Sequence, residues 1–129
     1  MASRYYAPCR ELEICDSLFS QYWEAGEYDR IFSGLLPLAE QGYPLAECQV
    51  GYFYAQGLGV ERDLDKALLW TRRAAEHGDR DGQFNLGCFY EEGTVLARSM
   101  EQAALWYQRA ARQGHAEAAE RLRALGVPQ

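Results

Sequence analysis

The sequence predicts an all-α solenoid, a curved row of helix hairpins stacked side by side, and three observations predict it. The first is a period of 36. Residues 43–78 laid over 79–114 bring Gly51, Phe53, Tyr54, Gly57, Ala67, Trp70, Ala74, Ala75 and Gly78 onto Gly87, Phe89, Tyr90, Gly93, Ala103, Trp106, Ala110, Ala111 and Gly114. A fixed period of this length marks supersecondary units, each burying its apolar face on its neighbours. The second is the three-to-four-residue step of apolar residues inside each unit, which is the step of a helix. The third is the recurrence of Gly42, Gly78 and Gly114 at one offset, where a helix ends in a left-handed residue that only glycine adopts cheaply. The 129 residues divide into roughly three and a half units, which leaves one domain as the expectation.

Residues 1–42 read as a divergent hairpin. Its second helix carries Ile31, Phe32, Leu35, Leu38 and Ala39 before the stop at Gly42. The stretch holding Trp23 and Gly26 reaches that helix through a loop about five residues shorter than those that follow. Pro37 inside the helix is expected to kink it or to remove one backbone hydrogen bond.

Residues 43–78 form the first clear repeat. Pro44 suits the first turn of a helix, where a missing N–H costs nothing. Ala46, Val50, Gly51, Phe53 and Tyr54 make that helix's inward face. A glycine turn from Gly57 leads to Asp63 as cap of a second helix on Leu64, Ala67, Leu68, Thr71, Ala74 and Ala75. Residues 79–114 repeat the scheme with Asp79 as N-cap, then Gly82, Leu86, Gly87, Phe89 and Tyr90, then Met100, Ala103, Ala104, Tyr107, Ala110 and Ala111. Trp70 with Trp106, Phe53 with Phe89 and Tyr54 with Tyr90 read as core, because each pair recurs at one repeat position. Residues 115–129 supply a capping helix, made polar by Glu117, Glu120, Arg121 and Arg123, and a tail.

Composition narrows the function. The net charge of −6 is uneven: residues 1–65 hold four Arg against eleven acids, and residues 66–129 hold nine Lys and Arg against eight. An acidic half argues against nucleic acid as partner, since phosphate binding needs a basic face, and favours a basic partner. No apolar run approaches the ~20 residues that cross a bilayer. The N-terminus lacks the apolar stretch of a secretory signal, so a cytoplasmic location without membrane insertion is expected. Cys9, Cys15, Cys48 and Cys88 form no CxxC and no zinc spacing. Repeat register places Cys88 about 6 Å along the axis from the position matching Cys48, on a helix some 8 to 10 Å away. That exceeds the ~7 Å reach of a disulfide. Pairing of Cys9 with Cys15 stays open.

The run from Val50 to Trp70, with Gly51, Tyr54, Gly57, Gly59, Val60, Asp63, Lys66, Ala67 and Trp70, followed by Ala74, Ala75 and Gly78, closely resembles the Sel1-like repeat, a relative of the tetratricopeptide repeat. The likeness is strong over 43–114 and extends with divergence over 9–125, residues 1–42 being closer to a tetratricopeptide hairpin. In the second copy Val95, Ser99 and Gln102 replace the second loop glycine, the aspartate and the lysine, so that loop is expected to differ in shape. The resemblance implies a right-handed superhelix of α-hairpins that has no catalytic activity of its own and serves as an adaptor or scaffold, with no catalytic residues to transfer. Twelve Arg to one Lys suggests a GC-rich bacterial genome.

Repeats also carry an internal control: exposed positions filled differently in each copy are free to serve a partner. First helices line the concave side of such solenoids. Their outward positions are Cys48, Gln49, Tyr52 and Gln56 in one repeat, Asp81, Phe84, Asn85, Cys88 and Glu92 in the next, and Ser17, Leu18 and Gln21 in the N-terminal unit. These residues are expected to form one shallow groove, with Tyr52 and Phe84 as aromatic anchors beside the amides Gln49 and Asn85. His77, in the last turn of its helix, and His115, at a helix start, have no carboxylate or thiol cluster at ligand spacing, so neither a metal nor another cofactor is expected. GxSxG, P-loop, GxGxxG and HExxH motifs are missing, and an enzyme is the weakest reading. The sequence thus points to a non-catalytic interaction module for a protein or peptide. The alternatives are a bacterial regulatory or toxin-neutralising protein and a solenoid that forms a homodimer.

Overall fold

The computed structural model describes residues 10–127. Seven helices and no strand occur among them: α1 Arg10–Tyr22, α2 Tyr28–Glu40, α3 Pro44–Gln56, α4 Leu64–Glu76, α5 Arg80–Glu92, α6 Met100–Arg112 and α7 Ala116–Ala124. Each helix packs on the next in chain order, and α3 also touches α5. This is the all-α stack of hairpins that the period predicts.

Local chemistry sets the ends. Gly42, Gly78 and Gly114 have φ of 91°, 99° and 87°. At each of them the stop is a paired one. Gly78 N–H donates to the Ala75 carbonyl and Asp79 N–H to that of Ala74, and the same two bonds recur at Gly42 and Gly114. Asp79 and Asp63 cap α5 and α4 by accepting from Gly82 N–H at 2.6 Å and Lys66 N–H at 3.0 Å. Pro44 opens α3. The helix α2 runs on through Pro37 to Glu40, and the lost N–H leaves only the carbonyl of the exposed Ser33 without its helical partner. The α1–α2 connection, residues 23–27, is two residues shorter than the seven of 57–63, not five.

The two seven-residue loops share their anchoring bonds but differ in backbone shape where Val95 replaces Gly59, as expected. Arg62 Nε donates to the Ala55 carbonyl at 3.1 Å, and Arg98 Nε to the Glu91 carbonyl at 3.0 Å. Asp63 and Ser99 N–H bond the Tyr54 and Tyr90 carbonyls. Val95 avoids positive φ, whereas Gly59 at φ +64° brings its loop so close that a Cβ there would lie 2.5 Å from the Tyr28 carbonyl.

Two apolar clusters fill the stack. The larger joins Cys15, Ile31, Leu35, Val50, Phe53 and Trp70, with an aromatic seam in which Phe19, Trp23 and Phe53 lie ring to ring. The smaller joins Ala103, Tyr107, Ala110, Ala118 and Leu122. Trp106 departs from its expected core role. Trp70 is 8% exposed within a cluster that includes Leu58 and Val60, whereas Trp106 is half-buried and the position of Leu58 is held by the exposed Thr94. Phe89 is likewise half-buried where Phe53 is fully enclosed.

Between the clusters the α4–α5 junction is small and polar. Gly82 fits where a Cβ would meet that of Ala74 at 2.8 Å. The buried Gln83 donates to the Ala75 carbonyl at 3.3 Å, and Gln113 Nε2 bonds both the Gly78 carbonyl, at 2.8 Å, and Gln83 Oε1, at 3.0 Å. One repeat earlier the Gln83–Gln113 pair is replaced by buried Glu47 with His77, Oε1 to Nδ1 at 2.6 Å. No helix among the described residues is long and apolar enough to cross a membrane.

Candidate partner-binding groove

Between α3 and α5 lies a groove of about 340 Å³. Tyr52, Ala55 and Gln56 line it from α3 and Asn85, Cys88, Phe89 and Glu92 from α5, with Thr71 of α4 beneath and Arg62, Leu64 and Thr94 at its loop end. Gly51 and Thr71 explain why it is there. In the second repeat the matching pair is Gly87 and Tyr107, and the Tyr107 ring lies so near that a Cβ on Gly87 would meet it at 2.5 Å. In the first repeat Thr71 stands at the position of that ring, and its shorter side chain leaves the space open.

The groove wall is mixed. Tyr52 is 45% exposed. Asn85 Nδ2 makes only a long contact of 3.8 Å to Cys48 Sγ, so its amide can still serve a ligand. Arg62 is tied to the Ala55 carbonyl of α3. The Tyr107 hydroxyl donates to Glu91 Oε1 at 2.9 Å, and its oxygen lies 3.5 Å from the Cys88 sulfur. Arg121 Nη2 holds the other Glu91 oxygen at 2.8 Å. Burial pushes the Cys88 thiol above its ordinary value. Burial, then the bond to Cys88, lifts the Tyr107 phenol well above its own. Protonated near neutrality, the Cys88 sulfur is a soft wall and a poor nucleophile.

Of the residues expected on one groove, Tyr52, Gln56, Asn85, Cys88 and Glu92 are brought together. The rest lie elsewhere. Gln21 is exposed on α1, away from this lining. Gln49 is half-buried, with Oε1 enclosed and unpartnered. Cys48 must be corrected: it is buried beside Asp79, its thiol raised first by burial and then by that carboxylate, and it is not part of the groove lining. Phe84 must be corrected as well. Its ring stacks on His115 at 4.5 Å and leans on Tyr107 at 5.5 Å, because α7 brings His115 over it. His115 also caps α7, accepting from Ala118 N–H at Nδ1, while its Nε2 donates to Oδ1 of the exposed Asp81 at 3.2 Å. Thr71, Ala55, Leu64 and Thr94 were not among the expected residues. The one signal for them was the change from Tyr107 to Thr71 at a repeat position that faces inward.

The Cys9–Cys15 question falls outside the described residues, while Cys48 and Cys88 carry free thiols. No group of three or more His, Cys, Asp or Glu able to hold a metal occurs among the described residues.

Comparison with known proteins adds to this geometry. The model of the Sel1 repeat matches residues 44–79 and 80–115. A Sel1 repeat protein from Oxalobacter formigenes superimposes with a TM-score of 0.77 at 36% identity, over 87% of this chain and 45% of that one. The c5321 protein, a protective antigen of uropathogenic Escherichia coli strains displaying an SLR fold, gives 0.78 at 34% identity over 89% of this chain and 25% of its own. Helicobacter pylori cysteine rich protein B gives 0.67 at 22%, a likeness of fold alone. The chitin synthase regulator SKT5 of Malassezia restricta is 54% identical over 41 residues, which are 32% of this chain and 3% of that protein. The chain therefore spans less than half the length of the first two solved structures and a small fraction of the regulator.

Proposed function

Because the chain belongs to the Sel1 repeat family, whose members are generally protein–protein interaction modules and typically non-catalytic, we propose that it is an adaptor receiving an extended segment of a partner protein in the groove between α3 and α5. The observation that carries this is the hollow beside Thr71, where the next repeat has a ring. An apolar side chain of the partner enters that hollow against Ala55, Leu64 and Phe89. Tyr52, Gln56 and Asn85 offer a hydroxyl and two amides to its backbone. Glu92 and the acidic N-terminal half favour a basic residue alongside. We read residues 1–129 as one domain: a divergent hairpin over 1–42, repeats over 43–78 and 79–114, and a cap and tail over 115–129. Its proposed place is the bacterial cytoplasm.

The test is to select peptides from a displayed random library on the full chain and to measure their binding to Tyr52→Ala and Thr71→Phe. Selected peptides should carry an apolar residue near a Lys or Arg and lose at least tenfold in affinity to either variant. Peptides that bind both variants as well as the parent sink the reading.

A further inference from the structure

A second surface lies on the outer side of the second helices. Leu69 and Leu105 stand 36 residues apart, at one repeat position, and are 47% and 46% exposed. Recurrence within a repeat is normally explained by burial, and here it is not. Leu69 is two residues from the buried Thr71, which puts it on the far side of α4 from the groove. On each helix the leucine has an acid four residues before it and an arginine four residues after: Asp65, Leu69 and Arg73 on α4, and Glu101, Leu105 and Arg109 on α6, all exposed. Steps of four place each triplet along one helix face.

We propose that this face binds a second copy of the chain, the two copies meeting about a two-fold axis that sets their helices antiparallel. The triplet is its own complement. An antiparallel contact centred on Leu69 puts Asp65 of one copy against Arg73 of the other, twice, and one centred on Leu105 does the same for Glu101 and Arg109. The other face-to-face two-fold lays α4 along α6 in parallel and sets Asp65 against Glu101 and Arg73 against Arg109, so like charges exclude it. The charges therefore select one symmetry, and the contact is isologous and closed.

The groups are already placed for it. The Arg73 guanidinium lies 4.8 Å over the Trp70 ring and that of Arg109 lies 4.5 Å over Trp106, which holds each arginine on the outer face. Among the described residues no ion pair within the chain engages Asp65 or Glu101. Lys66, which would disturb the pairing, is drawn toward the Tyr54 ring at 5.6 Å. Favourable helix dipoles account for acids at the start and arginines at the end of a helix. They do not account for an uncovered leucine midway between them in both repeats.

The test is sedimentation velocity of the full chain from about 1 μM to about 1 mM, the range of moderate to weak affinity. The mass should rise from 14.7 kDa toward twice that value. Leu69→Glu with Leu105→Glu should hold it at the lower value, with circular dichroism unchanged. Asp65→Arg with Glu101→Arg, and separately Arg73→Glu with Arg109→Glu, should each be monomeric alone and associate when mixed in equal amounts. A parent chain that stays at 14.7 kDa throughout overturns the proposal. So does association that survives both charge reversals, or that is lost on Tyr52→Ala, which would place the contact in the groove.

Discussion

Thr71 and Tyr107 occupy one repeat position, and the difference between them decides where space is left in this molecule. The two tryptophans of the repeats differ in a similar way. Trp70→Ala should cost about 3–5 kcal/mol and Trp106→Ala roughly half as much, read by denaturant unfolding, because only the first side chain is enclosed. Titration is a further consequence at this scale. Cys48, Cys88 and Tyr107 all have folded values above their ordinary 9.0, 9.0 and 10.0. Below those values both folded and unfolded chains are protonated and stability is intact. Above them the unfolded chain ionises first, and stability is lost as pH rises toward the folded values. The melting temperature should therefore stay level from neutrality to about pH 9 and fall beyond it, and Cys48→Ala with Cys88→Ala should make that fall shallower.

At the scale of elements, the loops test how a frame survives a changed residue. Gly59→Val places a branched side chain at φ +64° and drives it into the backbone at Tyr28, so it should cost about 2–4 kcal/mol. Val95→Gly should change stability by no more than about 1 kcal/mol, since Arg98 and Ser99 already hold the second loop. Thermal and denaturant unfolding of the two variants measures the contrast. Helix starts and stops were legible in the sequence because they depend on neighbours: Asp63 and Asp79 cap three residues ahead, and Gly42, Gly78 and Gly114 close bonds within one turn. The groove was only half legible. Helical phase put Tyr52, Gln56, Asn85, Cys88 and Glu92 on one side, but it could not show that His115, 31 residues away in sequence, would cover Phe84. Nor did a rule that looks for variation at exposed positions detect Thr71, which is buried.

For the whole molecule, the uneven core matters more than its continuity. A large cluster spans α1 to α4, a small one spans α5 to α7, and the junction between them rests on Ala74, Ala75, Gly82, Asp79 and Gln83. In a stack where each unit meets only its neighbours, stability is a sum of local terms, so the two parts need not open together. Native-state hydrogen exchange should find amides of α6 and α7 exchanging well before those of α2 to α4, with Gln83→Ala widening the gap by loosening Gln113.

The exchange of bulk between Thr71 and Tyr107 has a bearing on descent. Trading those two side chains would carry the hollow one rung along the superhelix while the main chain stayed where it is. A lineage of such proteins could then acquire new clients by relocating a vacancy, with no new architecture required.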